Sequence, residues 1–129
     1  SDATILTLTD PVTLAGKPLP AGSYSLFTIP GRMEWTVVLN SHVGGHGLDG
    51  YDPKNDVMRF VVKADSSQRF YESFTIEVGD IVRNQANLYL LWANTSVRFP
   101  LVSNADDRIT AEILNRINVK KEDKPGLYY

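Results

Sequence analysis

Apolar and polar residues alternate along most of this chain with the two-residue period of strands that bury one face. Trp35, Val37 and Leu39 share a face in WTVVLN, and Met58, Phe60 and Val62 share one in VMRFVVKA, opposite Arg59 and Lys63. The same alternation groups Phe74, Ile76 and Val78, then Leu88, Leu90 and Trp92, then Val97, Phe99 and Leu101. GSYSLFTI, residues 22–29, is separated from WTVVLN by the turn signal Pro30-Gly31, and the two read as a hairpin. Ile5, Leu6 and Leu8 suit a first strand closed by Asp10-Pro11, and Asn84-Gln85-Ala86-Asn87 is a polar connection. About eight such runs within residues 3–102 predict an all-β fold, an antiparallel β-sandwich of two sheets.

The period changes at Ser103. Asn104 and Asp106 offer N-cap chemistry, and Ile109, Ile113, Leu114 and Ile117 recur at helical spacing. This predicts one C-terminal α-helix over about 104–119, stopped by Lys124-Pro125-Gly126, whose apolar stripe packs on its own domain or docks a partner.

Composition narrows the class. A chain of 129 residues is one domain's worth and is long enough to bury its own core. With 13 basic against 15 acidic side chains, and no basic cluster larger than Lys120-Lys121, it lacks the surface that nucleic acid requires. The absence of cysteine excludes disulfides, a thiolate nucleophile and thiolate zinc sites. No apolar run approaches the about 18 residues of a membrane-spanning helix, and the first 20 residues carry no signal-peptide pattern. No cofactor is implied.

The richest chemistry lies in NSHVGGHGLDGYDPKND, residues 40–56, which holds both histidines. His42 and His46 are four apart, the spacing that grips zinc on a helix, but Val43-Gly44-Gly45 argues against a helix. Asp49, Asp52 and Asp56 follow no calcium-loop order, so the stretch predicts a long inter-strand loop without a metal, with Asp52-Pro53 as its turn anchor. Ser23 and Ser25 stand outside any G-x-S-x-G elbow and read as outward strand residues. Glu34 and Glu72 are a conceivable carboxylate pair that spacing cannot bring together, so no catalytic residue is assigned. Trp35, Trp92, Phe27, Phe60, Phe74 and Tyr24 read as core, whereas Tyr51, Tyr71 and Tyr89 are candidates for an exposed platform.

Leu19-Pro20-Ala21-Gly22, Tyr24, Leu26-Phe27-Thr28-Ile29-Pro30-Gly31, Glu34-Trp35-Thr36-Val37, Leu39-Asn40, Tyr51-Asp52 and Asn55-Asp56-Val57 together resemble the bacterial family known as domain of unknown function 2911. The resemblance implies an exported protein, periplasmic or in the cell envelope, and no reaction. Members carry an aromatic where this chain has Asp49 and a tryptophan where it has His46, while Gly47, Tyr51 and Asp52 match. They also run further at the N-terminus, and Leu127-Tyr128-Tyr129 resembles the start of a further helix, so the chain is expected to be trimmed at both ends.

The combined expectation is a single domain over 1–129 that serves as a non-catalytic binding or interaction module. Its ligand, a carbohydrate or a peptide, would meet His42, His46, Asp49, Tyr51 and Asp52 in the loop 41–56. Two other readings stay open: a hydrolase-like enzyme with a His/Asp site in that loop, and a structural adaptor that docks through the C-terminal helix. A monomer or weak homodimer is expected, without a membrane span.

Overall fold

A computed structural model of the chain describes residues 4–43, 50–104 and the strand 117–120. Nine strands among these residues form two antiparallel sheets. They are β1 (Thr4–Leu8), β2 (Val12–Leu14), β3 (Lys17–Leu19), β4 (Gly22–Ile29), β5 (Glu34–Asn40), β6 (Asp56–Lys63), β7 (Asp65–Val82), β8 (Gln85–Ser103) and β9 (Ile117–Lys120). The first sheet has the order β6-β5-β4-β1-β9 and the second β3-β2-β8-β7.

The alternation that predicted strands also assigns their faces. Leu6, Leu26, Trp35, Val37, Leu39 and Met58 from the first sheet meet Leu14, Phe74, Leu88, Leu90, Val97 and Phe99 from the second in one core. Phe60 and Val62 pack against it half-buried, and the Phe60 and Phe99 rings meet edge to face with centroids 5.0 Å apart. Full burial of each such aliphatic side chain contributes about 1.5–3 kcal/mol, so this shared interface holds the two sheets together.

The LPAG segment before β4 has a specific mechanical role. The Tyr24 hydroxyl donates back to the Pro20 carbonyl, a tyrosine corner that fixes how the chain enters the sheet. Gly22 lies beneath that ring with φ +152°, and a Cβ there would stand 3.3 Å from the hydroxyl oxygen. Glycine serves both the backbone conformation and the close approach.

Two expectations change. The runs expected around 57–64 and 74–78 lie on almost continuous chain, β6 followed after Ala64 by β7, and those at 88–92 and 97–101 are both parts of β8. The polar connection expected at 84–87 is shorter, because the turn is Arg83-Asn84 and Gln85, Ala86 and Asn87 already belong to β8. Bulges make this possible: the β7–β8 register shifts between Ser66 and Tyr71, between Tyr71 and Thr75, and between Gly79 and Val82. Each takes up extra residues and bends the ribbon without ending it.

No α-helix is seen among the described residues. Residues 105–116 of the helix expected over 104–119 lie outside them, and its end is a strand: β9 pairs antiparallel with β1, with Leu8 opposite Ile117 and Ile5 opposite Lys120. The spacing of Ile113 and Ile117 is local information, whereas the unpaired edge of β1 is not. Filling that edge satisfies a row of backbone donors and acceptors, and the β-branched Ile117 and Val119 suit it.

Candidate functional site

β4 and β5 pair so that Ser25 stands opposite Asn40 and Phe27 opposite Val38, on the face of the first sheet turned away from the core. That face should be wet, yet Asn40 and Val38 are 0% exposed, Ser25 2% and Phe27 4%. Chain from the loop 41–55 contributes to the cover: Tyr51 packs its ring edge to face on Phe27, centroids 5.2 Å apart.

Asn40 is the centre of the clasp that holds this loop. Its Nδ2 donates to the Asp52 carbonyl and to Asp56 Oδ1, both at 3.0 Å, while its Oδ1 accepts the His42 N–H at 2.9 Å. The two acceptors on one side and the donor on the other fix the amide's orientation. Around it the Ser25 hydroxyl donates to the His42 carbonyl at 2.7 Å, and the Ser41 N–H donates to the Asn55 carbonyl at 2.9 Å. Asp52 caps the 3-10 turn Pro53–Asn55 by accepting the Lys54 N–H. The Tyr51 hydroxyl lies 3.0 Å from both oxygens of Asp56, and Arg59 Nη2 reaches the same hydroxyl and Asp56 Oδ2 at 3.4 Å. Although desolvation opposes it, hydrogen bonding to Tyr51 and Asp56 leaves the Arg59 guanidinium with a raised pKa.

Three of the five residues predicted as a ligand set are therefore described, in distinct roles. His42 is exposed, and its ring lies against Gly50, where a Cβ would come within 2.9 Å of Nε2 at φ +79°. Tyr51 is half-buried and points its hydroxyl inward to Asp56, and Asp52 holds the turn. His46 and Asp49 lie outside the described residues. Among the described residues no three histidine, aspartate or glutamate side chains gather as a metal set. Glu34 begins β5 in one sheet and Glu72 lies in β7 of the other. Sequence reading missed Asn40, Arg59 and Ser25, because each looks like an ordinary strand residue until its long-range partners are known, and it weighed Asp56 only as a calcium ligand. The one available signal was an asparagine ending the apolar strand and opening a long loop.

The other end of β6 opens into a cleft of about 630 Å³, at the corner where the chain leaves the first sheet and enters the second. Phe60, Val62 and Phe99 line it with the β2–β3 turn at Ala15-Gly16, and Lys63 and Asp65 also border it. Its volume falls within the about 300–1,000 Å³ of small-ligand sites. Lys63 Nζ stands 4.0 Å from Asp65 Oδ1 with both side chains largely exposed, a pair that contributes little and leaves the ammonium available. The clasp and the cleft share one strand, since Asp56 and Arg59 anchor the first half of β6 and Phe60 to Lys63 border the cleft.

The outer face of the second sheet carries a separate polar group. Asp80, with φ +53° in the bulge before the β7–β8 turn, accepts from Asn87 Nδ2 at 2.9 Å and from the Tyr89 hydroxyl. The bond from Tyr89, then that from Asn87, with Arg98 nearby, holds the Asp80 carboxyl below its usual range; the bond to Asp80 in turn raises the Tyr89 phenol, with burial adding to it and Arg98 opposing it. Tyr89 is thus on the opposite side of the sandwich from Tyr51, and Tyr71 sits in β7 with Arg69 4.9 Å from its ring centroid. The three tyrosines do not form one platform.

This architecture defines an all-β, two-sheet sandwich with a loop welded to one outer face and a cleft at a sheet corner. The chain belongs to the family described as "Protein of unknown function (DUF2911)", whose model matches residues 1–101. No curated protein and no solved structure matches it.

Proposed function

We propose that this domain is a non-catalytic binding module of an exported bacterial protein, and that its ligand enters the cleft bordered by Phe60 and Phe99. The observation that carries this reading is the cleft of about 630 Å³ with an aromatic wall and a charged rim. The half-buried Phe60 ring and the exposed Val61 supply apolar contact area over the buried Phe99, while Lys63, Asp65 and nearby backbone groups orient a polar part. The loop 41–56 serves the cleft indirectly, because its clasp immobilises β6. The polar atoms of Tyr51 and Asp52 are engaged in the fold of the loop itself, which favours the cleft over the loop as the site of contact.

A thermal-shift screen against oligosaccharides and short peptides tests the proposal. A ligand at 100 times its Kd stabilises the native state by about 2.7 kcal/mol, a shift of several degrees. That shift is expected to persist in His42→Ala and to be lost in Phe99→Leu, both measured against each variant's own ligand-free midpoint. A shift lost in His42→Ala and kept in Phe99→Leu would place contact in the loop and overturn the proposal, as would no shift with any compound.

A further inference from the structure

We infer that the cleft is a strand-addition site, in which an extended segment of another protein, with alternating apolar and acidic side chains, pairs its main chain with β6 at Val61 and Lys63. This rests on the reading of the cleft as the binding site and names its ligand. The Ala64 N–H donates to the Met33 carbonyl at 2.9 Å, in register with Lys63 opposite Glu34 and Val62 opposite Trp35. In an antiparallel ladder such bonded pairs alternate, so Val62 and Phe60 turn their backbone groups to β5. Arg59, Val61 and Lys63 therefore turn theirs outward, along the open edge of the first sheet.

That geometry has an internal check. Lys17 Nζ, reaching across from β3, lies 3.4 Å from the Arg59 carbonyl, as expected if that carbonyl faces outward. Lys17 blunts the edge at Arg59, but Val61 and Lys63 lie further along it, bordering the cleft. Two N–H and C=O sets two residues apart, about 7 Å along the strand, match an extended main chain and no ordinary feature of a sugar. The β7 edge of the second sheet is a poorer template, since three register shifts interrupt that strand, whereas β6 keeps one register from Met58 to Lys63.

Side-chain preference follows from the two faces of β6. Partner residues on the inner face would lie beside Phe60, Val62 and Phe99 and should be apolar. Those on the outer face would lie beside Val61, 56% exposed, and Lys63, whose side chain is 84% exposed. Lys63 and Lys17 stand on the open side of this edge, while Glu34 lies one strand further in, opposite Lys63, and Asp65 lies past the strand's end, which favours carboxylates at alternate positions.

The test uses the whole chain, an acetylated and amidated Val-Glu-Val-Glu-Val-Glu peptide, and amide exchange followed by NMR. The peptide is expected to slow exchange of the Val61 and Lys63 amides at least about tenfold and to shift the Phe60 and Phe99 ring signals. A peptide N-methylated along one edge should bind about tenfold more weakly, while methylation along the other edge leaves binding unchanged, for a loss of one or two hydrogen bonds. Val61→Pro removes an N–H that β5 does not use and should abolish the protection; the methylated peptides read the same bond should that variant misfold. The corresponding Val-Lys peptide should bind at least about tenfold more weakly. Ring shifts from the peptide or any other ligand without protection at Val61 and Lys63 would refute strand addition and leave the cleft reading standing. An absence of ring shifts with every peptide and oligosaccharide would refute both. Protection of these amides by self-association, seen as a concentration-dependent dimer in sedimentation, would refute the foreign segment as occupant.

Discussion

Truncation of Asn40 to alanine removes the atom group on which the clasp converges. The side chain is 0% exposed and makes three hydrogen bonds, to the Asp52 carbonyl, to Asp56 Oδ1 and from the His42 N–H. At about 1 kcal/mol net for each, the variant should lose about 3 kcal/mol, a large part of the 5–15 kcal/mol typical of a domain. With a urea slope of about 1–3 kcal/mol per molar, the midpoint should fall by roughly 1–3 M with the slope unchanged. The lesion should also be local, with faster exchange of the His42 amide and loss of the contact between the Tyr51 and Phe27 rings. Asn40→Asp sharpens the test: it keeps the acceptor for His42 N–H but sets a second carboxylate about 3.0 Å from Asp56 Oδ1. Repulsion should raise the pKa of the new carboxyl in the folded state, so its destabilisation should be present at pH 7 and diminish on acidification as a shared proton restores the contact. A loss below about 1 kcal/mol for Asn40→Ala, or an unchanged His42 amide, would refute the clasp.

Thr28 is 0% exposed and its hydroxyl has no hydrogen-bond partner among the described residues, so Thr28→Val should raise the stability by about 1 kcal/mol; a decrease in a urea melt would show that the hydroxyl is satisfied. Gly22→Ala forces a Cβ toward the Tyr24 hydroxyl at a φ that L residues rarely adopt and should cost about 1–3 kcal/mol, whereas a cost near zero would remove the tyrosine corner as the reason for glycine there. NMR titration should find the Asp80 midpoint below 3.8, and Tyr89→Phe should move it upward. Because the folded-state pKa is depressed, the contribution of Asp80 is present above the unfolded value and is lost as pH falls through the folded one. For Tyr89 the folded pKa is raised, so its contribution is present below the unfolded value near 10 and is lost as pH rises through the folded one; an Asp80 midpoint unmoved by Tyr89→Phe would refute the link.

The two-residue period made the strands and their inward faces legible: Trp35, Val37 and Leu39, expected in the core, are at most 2% exposed. Sequence reading failed where a long-range partner decides the outcome. Ile117 and Val119 read as helical from their neighbours, but the open edge of β1 lies more than 100 residues away in the chain. Ser25 reads as an outward residue, which it is, and its burial, like that of Asn40, comes with bonds to chain from the loop, at His42 and Asp52, that the local sequence does not announce. In the loop the anchoring turn at Asp52-Pro53 was legible because a side-chain cap is local chemistry. The cleft was not, since Phe60 and Phe99 are 39 positions apart and meet only because β6 and β8 belong to different sheets.

Backbone chemical-shift mapping of the full chain, titrated in turn with short peptides and oligosaccharides, can locate ligand contact without assuming its chemistry. A saturable and contiguous set of shifts at residues 60–63 and 98–100, with residues 50–56 unmoved, is the predicted result. Shifts confined to residues 41–56, with Phe60 and Phe99 silent, would contradict it.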